Sequence, residues 1–335
     1  MGDRNMYRVS AGITTNMSLT ASEWIASNAE QLGLDGIWVG EDIGRGHDVF
    51  VLTTAVLQGA RGVRVGTGIV PITVHDIAAL ARAVRSLKEL ADSGFVFGTG
   101  IGGTQDLMTL GVKLNKPVTV LGEAVRVLKR LWAGETVSAE CELFRLREYS
   151  LGFKQPVSVP VFLGVRGPQM LRMAAQMADG VILSGPSEYI HKAIRLVDDE
   201  ARATGRNKDS IEKVVWQPTI PTFKGGDEML AKRVVALVVA DTPDQVIRMT
   251  SVNVGQVETI QSAVKKGGPS AGASHVTPEI LDSFSVTGSK ERMIEQFEAL
   301  AGMGATEVVI GPPFSGDWRG AMSEITQEIR MSRKL

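Results

Sequence analysis

The chain is poor in the residues on which several protein classes depend. Its 335 residues include one cysteine, Cys141, which excludes an internal disulfide and a cysteine-based metal cluster. The four histidines show no metal-binding spacing such as His-Glu-x-x-His, and no Walker phosphate-binding loop is present. We therefore expect no catalytic metal, and any redox chemistry would need an organic cofactor.

The chain also lacks an excess of charge and a long apolar run. Lys and Arg total 36 against 37 Asp and Glu, and no segment concentrates one sign, so we expect neither nucleic acid nor an anionic membrane as a partner. No run of about 18 apolar residues could span a bilayer, and residues 1–16 lack a signal-peptide pattern. These features predict a cytoplasmic protein with a small-molecule substrate.

A repeat of strands and helices runs along the chain. Eight short apolar or β-branched runs are predicted as strands, at residues 7–13, 36–40, 63–68, 94–100, 160–164, 180–184, 212–218 and 307–311. Helical patterns follow most of them, for example at Leu80, Val84 and Leu87. Eight such units predict a single (β/α)8 TIM barrel domain over residues 1–335. An open doubly wound sheet is the alternative, but no Gly-x-Gly-x-x-Gly follows the first strand.

Two segments interrupt this repeat. Residues 134–158 have no helical pattern and indicate an extended insertion, whereas residues 225–284 indicate a mostly helical insertion before the last strand. Within the second insertion, residues 265–274 are rich in Gly and Ser, which predicts a flexible loop, with a mobile lid as the alternative. Long insertions at the top of a barrel commonly shape access to the site.

The residues just after each strand are the candidates for chemistry, because a barrel site lies at the carboxyl ends of its strands. Glu41 and Asp42 follow the second strand, and we expect one of these carboxylates to face the mouth. The alternative is that they cap a helix or meet a basic neighbour. Glycines after the fourth strand leave room for a flat ligand, but they also suit a tight turn. These glycines are Gly98, Gly100, Gly102 and Gly103.

The fifth and sixth strands each lead through glycine into a helix with proline near its first turn. The residues concerned are Gly164, Gly167 and Pro168 after one strand, and Ser184, Gly185 and Pro186 after the other. Free N–H groups at a helix start bind anions, which predicts a phosphate site. Proline at the first helical position is also ordinary helix chemistry, so this alternative stays open.

Residues 63–76 contain more glycine than is usual for a strand. Gly66 and Gly68 lie within a β-branched run, where they add backbone freedom that an ordinary strand does not need. His75 and Asp76, which follow, are interpreted as the start of the next helix, with Asp76 as its N-cap.

The order of these motifs resembles the bacterial-luciferase-like flavin and deazaflavin oxidoreductases. Within that superfamily the chain is most similar to the coenzyme F420-dependent methylenetetrahydromethanopterin reductases, from about residue 7 to the C-terminus. The motifs that carry the resemblance are residues 65–84 (VGTGIVPITVHDIAALARAV), 97–103 (FGTGIGG), 163–185 and 284–317, with 234–247 (VVALVVADTPDQVI) in the long insertion.

The resemblance implies a barrel that holds the deazaflavin of coenzyme F420 at its mouth, with hydride transfer at C5 of the ring. Relatives carry a non-prolyl cis peptide at the tip of the third strand, which falls here at Gly68–Ile69. The phosphate is expected toward the loops after the fifth and sixth strands. The implied cofactor-binding residues are Thr14, Asp42, Gly68, Ile69, Gly100, Gly102, Gly103, Gly164, Gly167, Pro168, Ser184 and Gly185.

Three positions depart from the reductases. These enzymes commonly carry a glutamate where this chain has Thr14, an acidic residue in place of Gly103, and an Asp-His pair in place of Glu41 and Asp42. We expect Asp42, Glu41 and Thr14 to be the catalytic residues, with one of the two carboxylates supplying the proton contact.

The expected function is therefore that of an F420-dependent oxidoreductase, acting on 5,10-methylenetetrahydromethanopterin or a related one-carbon pterin. The alternatives are an FMN-dependent luciferase-like monooxygenase and a non-catalytic relative that binds a cofactor or a pterin. The resemblance also implies a homo-oligomer, a dimer or tetramer, formed through helices beside strands two and three. Residues 48–62 are apolar enough to contribute to that contact.

Overall fold

A computed structural model describes residues 7–332, so the ends of the predicted domain, at positions 1–6 and 333–335, lie outside the described residues. The strands of the described part are β1 (Arg8–Thr14), β2 (Gly36–Gly40), β3 (Arg64–Thr67), β4 (Val70–Pro71), β5 (Phe95–Gly100), β6 (Val137–Glu140), β7 (Arg145–Tyr149), β8 (Val161–Gly164), β9 (Gly180–Leu183), β10 (Glu212–Val215), β11 (Thr219–Pro221), β12 (Val286–Gly288) and β13 (Glu307–Ile310). The α-helices are α1 (Leu19–Leu32), α2 (Val49–Gly59), α3 (Ile77–Leu90), α4 (Thr104–Thr109), α5 (Pro117–Trp132), α6 (Pro168–Met177), α7 (Ser187–Ala203), α8 (Glu228–Asp241), α9 (Asp244–Ile247), α10 (Val254–Ala273), α11 (Pro278–Phe284), α12 (Lys290–Gly302) and α13 (Trp318–Ser332). Within residues 7–332, no helix has both the length and the apolar character needed to cross a membrane.

Eight of these strands form a closed parallel barrel, in the order β1, β2, β3, β5, β8, β9, β10 and β13. The last strand pairs with the first, where Val9 lies opposite Val308, and β3 pairs with β5, where Val65 lies opposite Phe95. Each predicted strand coincides with one of the eight to within a few residues. The predicted (β/α)8 TIM barrel is confirmed, and its closed pairing excludes the open doubly wound sheet.

Side-chain caps explain where several helices begin. Asp48 caps α2, and Asp76 caps α3 as predicted, accepting hydrogen bonds from the N–H groups of Ala78 at 3.0 Å and Ala79 at 2.9 Å. Because α3 begins directly after this cap, the preceding residue, His75, stays in the loop between β4 and α3, close to the barrel mouth.

The two insertions take different forms. Residues 134–158 contain the antiparallel hairpin of β6 and β7, whereas residues 225–284 contain α8 to α11, which share a core of their own. The loop predicted at 265–274 is wrong, because residues 265–273 belong to α10 and Ser274 is its C-cap. The helix bends at Gly268, which has a φ of 73°. Packing outweighs glycine content here, since Gly272 allows α10 to approach Ala236 of α8 closely. Residues 268–272 (Gly-Pro-Ser-Ala-Gly) match the Gly-x-Ser-x-Gly pattern of the nucleophile elbow in α/β-hydrolases. A nucleophile elbow lies at a strand-to-helix turn, whereas this pattern lies in α10, so it does not indicate a serine nucleophile.

Apolar side chains fill the lumen of the barrel below its mouth. They are Trp38, Val96, Phe162, Ile182, Val214 and Val309. The guanidinium of Arg64 lies 5.5 Å from the Trp38 ring centroid and 5.6 Å from that of Phe162. The lumen is thus a packed core, and a ligand can reach the barrel only through the mouth.

A buried charge network closes the lower end of this lumen. Glu307 is fully buried and accepts hydrogen bonds from Ser10 Oγ and Trp38 Nε1, each at 2.5 Å. Arg64 forms ion pairs with both Glu307 and Glu212, so its charge has two carboxylate partners. Such a network stays stable only while every buried charge keeps its partners.

We predict that Glu307→Ala lowers the free energy of unfolding by about 3 kcal/mol, because it deprives the half-buried Arg64 of one carboxylate partner. Glu135→Ala, in an exposed ion pair with Arg130, is the control and should lower it by at most about 1 kcal/mol. Urea unfolding followed by tryptophan fluorescence measures both changes. Equal, small losses in the two variants would contradict the stabilising role of the lumen network.

Candidate functional site

The carboxyl ends of the barrel strands surround a cavity of about 510 Å³, a size typical of small-molecule sites. Residues at the strand ends that line it include Thr14, Gly40, Glu41, Asp42, Gly68, Ile69, Gly102, Gly103, Gly164, Ser184, Trp216 and Pro312. The long insertion supplies another wall, with Val238 and Asp241 from α8, Pro243 at the N-cap of α9 and Gln245 within α9. The cavity therefore joins the barrel mouth to the helical insertion.

Most of the predicted site residues meet in this one cavity. Those that line it are Thr14, Glu41, Asp42, Gly68, Ile69, Gly102, Gly103, Gly164 and Ser184. Four others, Gly100, Gly167, Pro168 and Gly185, are not part of the lining. Residues from six different strand ends are thus brought together, although no two of these ends are close in sequence.

A cis peptide bond joins Gly68 and Ile69 just after β3, at the position that the resemblance implies. The Ile69 side chain lies across two neighbouring glycines. A Cβ atom on Gly164 would come within 2.5 Å of Ile69 Cγ2, and one on Gly100 within 2.8 Å of Ile69 Cδ1. Ile69 therefore forms an apolar wall of the cavity and covers Gly100, which explains why Gly100 is absent from the lining.

Asp42 is held at the mouth by the loop that follows β1. Its Oδ2 accepts a hydrogen bond from the Asn16 N–H at 3.2 Å, and its own N–H donates to Thr15 Oγ1 at 2.8 Å. Burial raises the pKa of the Asp42 carboxyl; the Asn16 and Thr14 hydrogen bonds oppose this shift, and the charge of Asp106 adds to it. Asp42 consequently keeps its proton to a higher pH than an exposed aspartate, as a general acid must.

Two further carboxylates and one guanidinium face the same cavity. Asp106 of α4 and Asp241 of α8 line it together with Arg166. Arg166 Nη1 lies 3.2 Å from the Asp241 carbonyl oxygen and 3.4 Å from Asp241 Oδ2. Burial raises the pKa of Asp241, Arg166 opposes this shift, and Asp106 adds to it. The mouth therefore carries more acidic groups than the sequence predicts.

Asp106 bears directly on one departure from the reductases. A Cβ atom placed on Gly103 would lie 3.0 Å from Asp106 Oδ2, so this carboxylate occupies the space beside position 103. Because Asp106 stands one helical turn further along the chain, an acidic group reaches the place where the reductases commonly carry one. Asp106 therefore places a carboxylate beside position 103.

Glu41 is oriented by His75, which the sequence interpretation left out of the site. His75 Nε2 lies 2.7 Å from Glu41 Oε2, and the His75 ring packs edge-on against Phe50 at a centroid distance of 5.2 Å. The Glu41 N–H donates to the Ile69 carbonyl oxygen at 3.0 Å. Both the backbone and the carboxylate of Glu41 are thus fixed relative to the cis peptide.

Gly167 and Pro168 after β8, and Gly185 after β9, are predicted to bind phosphate, but none of these three residues lines the cavity. The Gly167 N–H donates to Tyr189 Oη at 3.3 Å, and a Cβ atom on Gly167 would come within 2.5 Å of Gln245 Nε2. Gly185 lies beside the buried Tyr189 ring. Residues of this region that do line the cavity are Arg166, Met170 and Ser184. Contact of a cofactor with Gly100, Gly167, Pro168 or Gly185 stays a prediction, as does its contact with the predicted residues that line the cavity.

Known proteins share this architecture. The model of the family described as luciferase-like monooxygenase matches residues 5–307. A 5,10-methylenetetrahydromethanopterin reductase of Archaeoglobus fulgidus is 29% identical over 315 residues, which cover 92% of this chain and 94% of the relative. The coenzyme F420-dependent tetrahydromethanopterin reductase of Methanopyrus kandleri superposes with a TM-score of 0.83 at 20% identity, over 97% of this chain and 99% of that chain. An F420-dependent secondary alcohol dehydrogenase, in complex with an F420–acetone adduct, superposes with a TM-score of 0.75 at 18% identity. The superposition covers 96% of this chain and 97% of that chain.

We predict that Asp42→Asn reduces a pH-dependent loss of stability. Because the folded-state pKa of Asp42 is raised, the folded protein binds this proton more tightly than the unfolded chain does. The free energy of unfolding of the wild type should therefore fall as the pH rises from about 4 through the folded-state pKa. In the Asn variant this fall should be smaller, because Asp241, whose pKa is also raised by burial, still contributes to it. The variant should therefore gain stability relative to the wild type toward neutral pH.

Thermal unfolding midpoints across this pH range measure the effect. Asp199→Asn, at an exposed position on α7, is the control and should retain the fall seen in the wild type. Parallel curves for the wild type and Asp42→Asn would contradict the raised pKa.

Proposed function

Because the chain belongs to the luciferase-like monooxygenase family, we propose that it is a coenzyme F420-dependent oxidoreductase. It transfers a hydride between the deazaflavin and a small carbon substrate, 5,10-methylenetetrahydromethanopterin or a related one-carbon pterin. The observation that carries this proposal is the single cavity at the mouth, where the Gly68–Ile69 wall faces the acidic groups around Asp42. Relatives named 5,10-methylenetetrahydromethanopterin reductase, 25–29% identical over most of the chain, support the choice of substrate. Relatives named F420-dependent glucose-6-phosphate dehydrogenase, 26% identical over about half of the chain, support the choice of cofactor.

The cavity fits a flat ring system. Glycines at the strand ends expose backbone where side chains would otherwise fill the space, and Ile69 offers an apolar face. Arg166 offers a positive charge to a phosphate on the insertion side. The residues that would hold the deazaflavin are Gly68, Ile69, Gly102, Gly103, Gly164 and Ser184. When bound, the deazaflavin supplies the ring carbon that donates or accepts the hydride.

Asp42 holds the proton that accompanies the hydride. Its raised pKa keeps it protonated to higher pH, so it can donate to a substrate atom in the reductive direction and take the proton back in the oxidative one. Hydride transfer itself depends mainly on placing two flat partners at reacting distance, which is a matter of the cavity walls.

Thr14 and Glu41 support this arrangement in different ways. Thr14 Oγ1 donates to Asn16 Oδ1 at 2.9 Å, and the Asn16 N–H in turn holds the Asp42 carboxylate. Thr14 is therefore proposed as a positioning residue for Asp42. Glu41, fixed by His75, presents a second carboxylate at the edge of the same cavity.

We predict that the purified protein binds F420 in preference to FMN and reduces 5,10-methylenetetrahydromethanopterin with reduced F420. Asp42→Asn should lower kcat by about 100-fold, because it removes the proton donor. It should change the Kd for F420 much less, because Asp42 is one of several implied cofactor contacts and the others are retained. The F420 absorbance and fluorescence measure binding and turnover, and Asp199→Asn serves as the control with unchanged kcat.

Other outcomes would change the assignment. Preference for FMN, with oxygen-dependent turnover on addition of a flavin reductase, would identify the monooxygenase alternative. Binding of F420 without turnover on one-carbon pterins and alcohols would identify the non-catalytic alternative. Absence of binding to both cofactors would overturn the proposed function.

We also propose that the protein is a cytoplasmic homo-oligomer, a dimer or tetramer that associates through α2. On this helix the Val51 side chain is 70% exposed, which suits a surface covered by a second copy. The single Cys141 is compatible with a reducing compartment. Val51→Lys should shift sedimentation toward the monomer, whereas Leu237→Lys, on the exposed side of α8, should not. An unchanged sedimentation coefficient for Val51→Lys would place the contact elsewhere.

A further inference from the structure

Trp216 lies across the top of the barrel lumen, just beyond the end of β10. Its backbone N–H donates to the Leu183 carbonyl oxygen at 2.9 Å, which continues the pairing of β10 with β9. The indole is only partly buried and lines the cavity. Beneath it the lumen is filled by buried side chains such as Trp38 and Val309.

Four glycines, in or just after four different strands, surround this indole. Gly12 belongs to β1, Gly40 ends β2, Gly68 follows β3 and Gly311 follows β13. A Cβ atom on Gly68 would come within 2.7 Å of Trp216 Cζ3, and one on Gly40 within 3.5 Å of Cη2. Cβ atoms on Gly12 and Gly311 would overlap the ring outright. Side chains at Gly12, Gly68 and Gly311 would therefore displace the ring, so the backbone around the barrel leaves a slot that an indole fills.

This placement makes the indole the floor of the cavity. The glycine backbone around the Trp216 ring fixes its orientation, and the buried side chains of the lumen pack beneath it. The same ring touches Gly68, whose cis peptide with Ile69 forms a cavity wall. The floor and this wall therefore meet at Gly68, in the corner where a flat ligand can use both surfaces.

We infer that Trp216 is a specificity-determining residue: its indole sets the depth of the cavity, and the deep end of the cofactor ring system rests against it. The identity of that ring system as a deazaflavin rests on the proposed function. An aromatic contact of this kind contributes roughly a tenfold change in affinity. It also limits how far a bulkier ring can enter.

The inference is tested with variants that remove or move the indole. Trp216→Leu should raise the Kd for F420 about tenfold, and Trp216→Phe should raise it less, because an aromatic face remains. Trp216→Leu should also narrow the preference for F420 over FMN, since a deeper cavity discriminates less between rings. Trp24→Phe, in an aromatic cluster with Trp318 away from the cavity, is the control and should change neither value.

Gly12→Ala perturbs the indole from a position that does not line the cavity. Its new Cβ should displace the ring and weaken F420 binding to about the level of Trp216→Leu. In the Trp216→Leu background the same change should add no further loss, because the indole that it displaces is gone. Circular dichroism separates a folding defect of Gly12→Ala from a binding effect, and the Trp216 variants decide the matter if that variant does not fold.

The outcomes separate this inference from the proposed function. If the wild type binds F420 and Trp216→Leu binds it equally well, with an unchanged preference over FMN, Trp216 does not form the floor of the cofactor site. The proposed function is then unaffected. A wild type that binds FMN instead overturns the proposed function, and the same variants then test the floor with FMN as the probe. A wild type that binds neither ring system overturns both.

Discussion

The site depends on glycines near the strand ends, where the backbone approaches the side chains of Ile69 and Trp216 closely. Glycine at 100 and 164 lets Ile69 lie across two neighbouring strands, and glycine at 12, 68 and 311 admits the Trp216 indole. A single Cβ atom at most of these positions would collide with a neighbour. The absence of side chains thus allows eight strands to converge while the mouth keeps a shaped cavity with one apolar wall and an aromatic floor.

Charge is distributed in opposite ways at the two ends of the barrel. At the lower end Glu307 is matched by Arg64 and Arg8, so buried charge closes the lumen and contributes to stability. At the mouth, Asp42, Asp106 and Asp241 share the guanidinium of Arg166, which is the one cationic side chain among the described residues that line the cavity. Burial raises the pKa values of Asp42 and Asp241. Such incompletely neutralised groups are common where a protein handles protons, which agrees with the proposed hydride and proton transfer.

The sequence predicts the barrel well and the site only in part. The strands could be located because each is a short apolar or β-branched run, and Asp76 could be assigned as a cap because its effect is local. The flexible loop predicted at 265–274 is wrong, because the packing of α10 against α8 outweighs the glycine content of this segment. The Gly68–Ile69 position came from a family resemblance rather than from local pattern. Asp106, Asp241 and Trp216 had no usable signal, because their neighbours are brought together only when the barrel closes and the insertion folds over it.

A crystal structure of the protein with F420 bound tests the central claim most directly. The account predicts the deazaflavin ring against the Gly68–Ile69 wall, its deep end on the Trp216 indole, and the Asp42 carboxyl within hydrogen-bonding reach of the substrate space beside the ring. A ring bound outside the barrel mouth, or one in the cavity with Asp42 turned away behind other side chains, would contradict it.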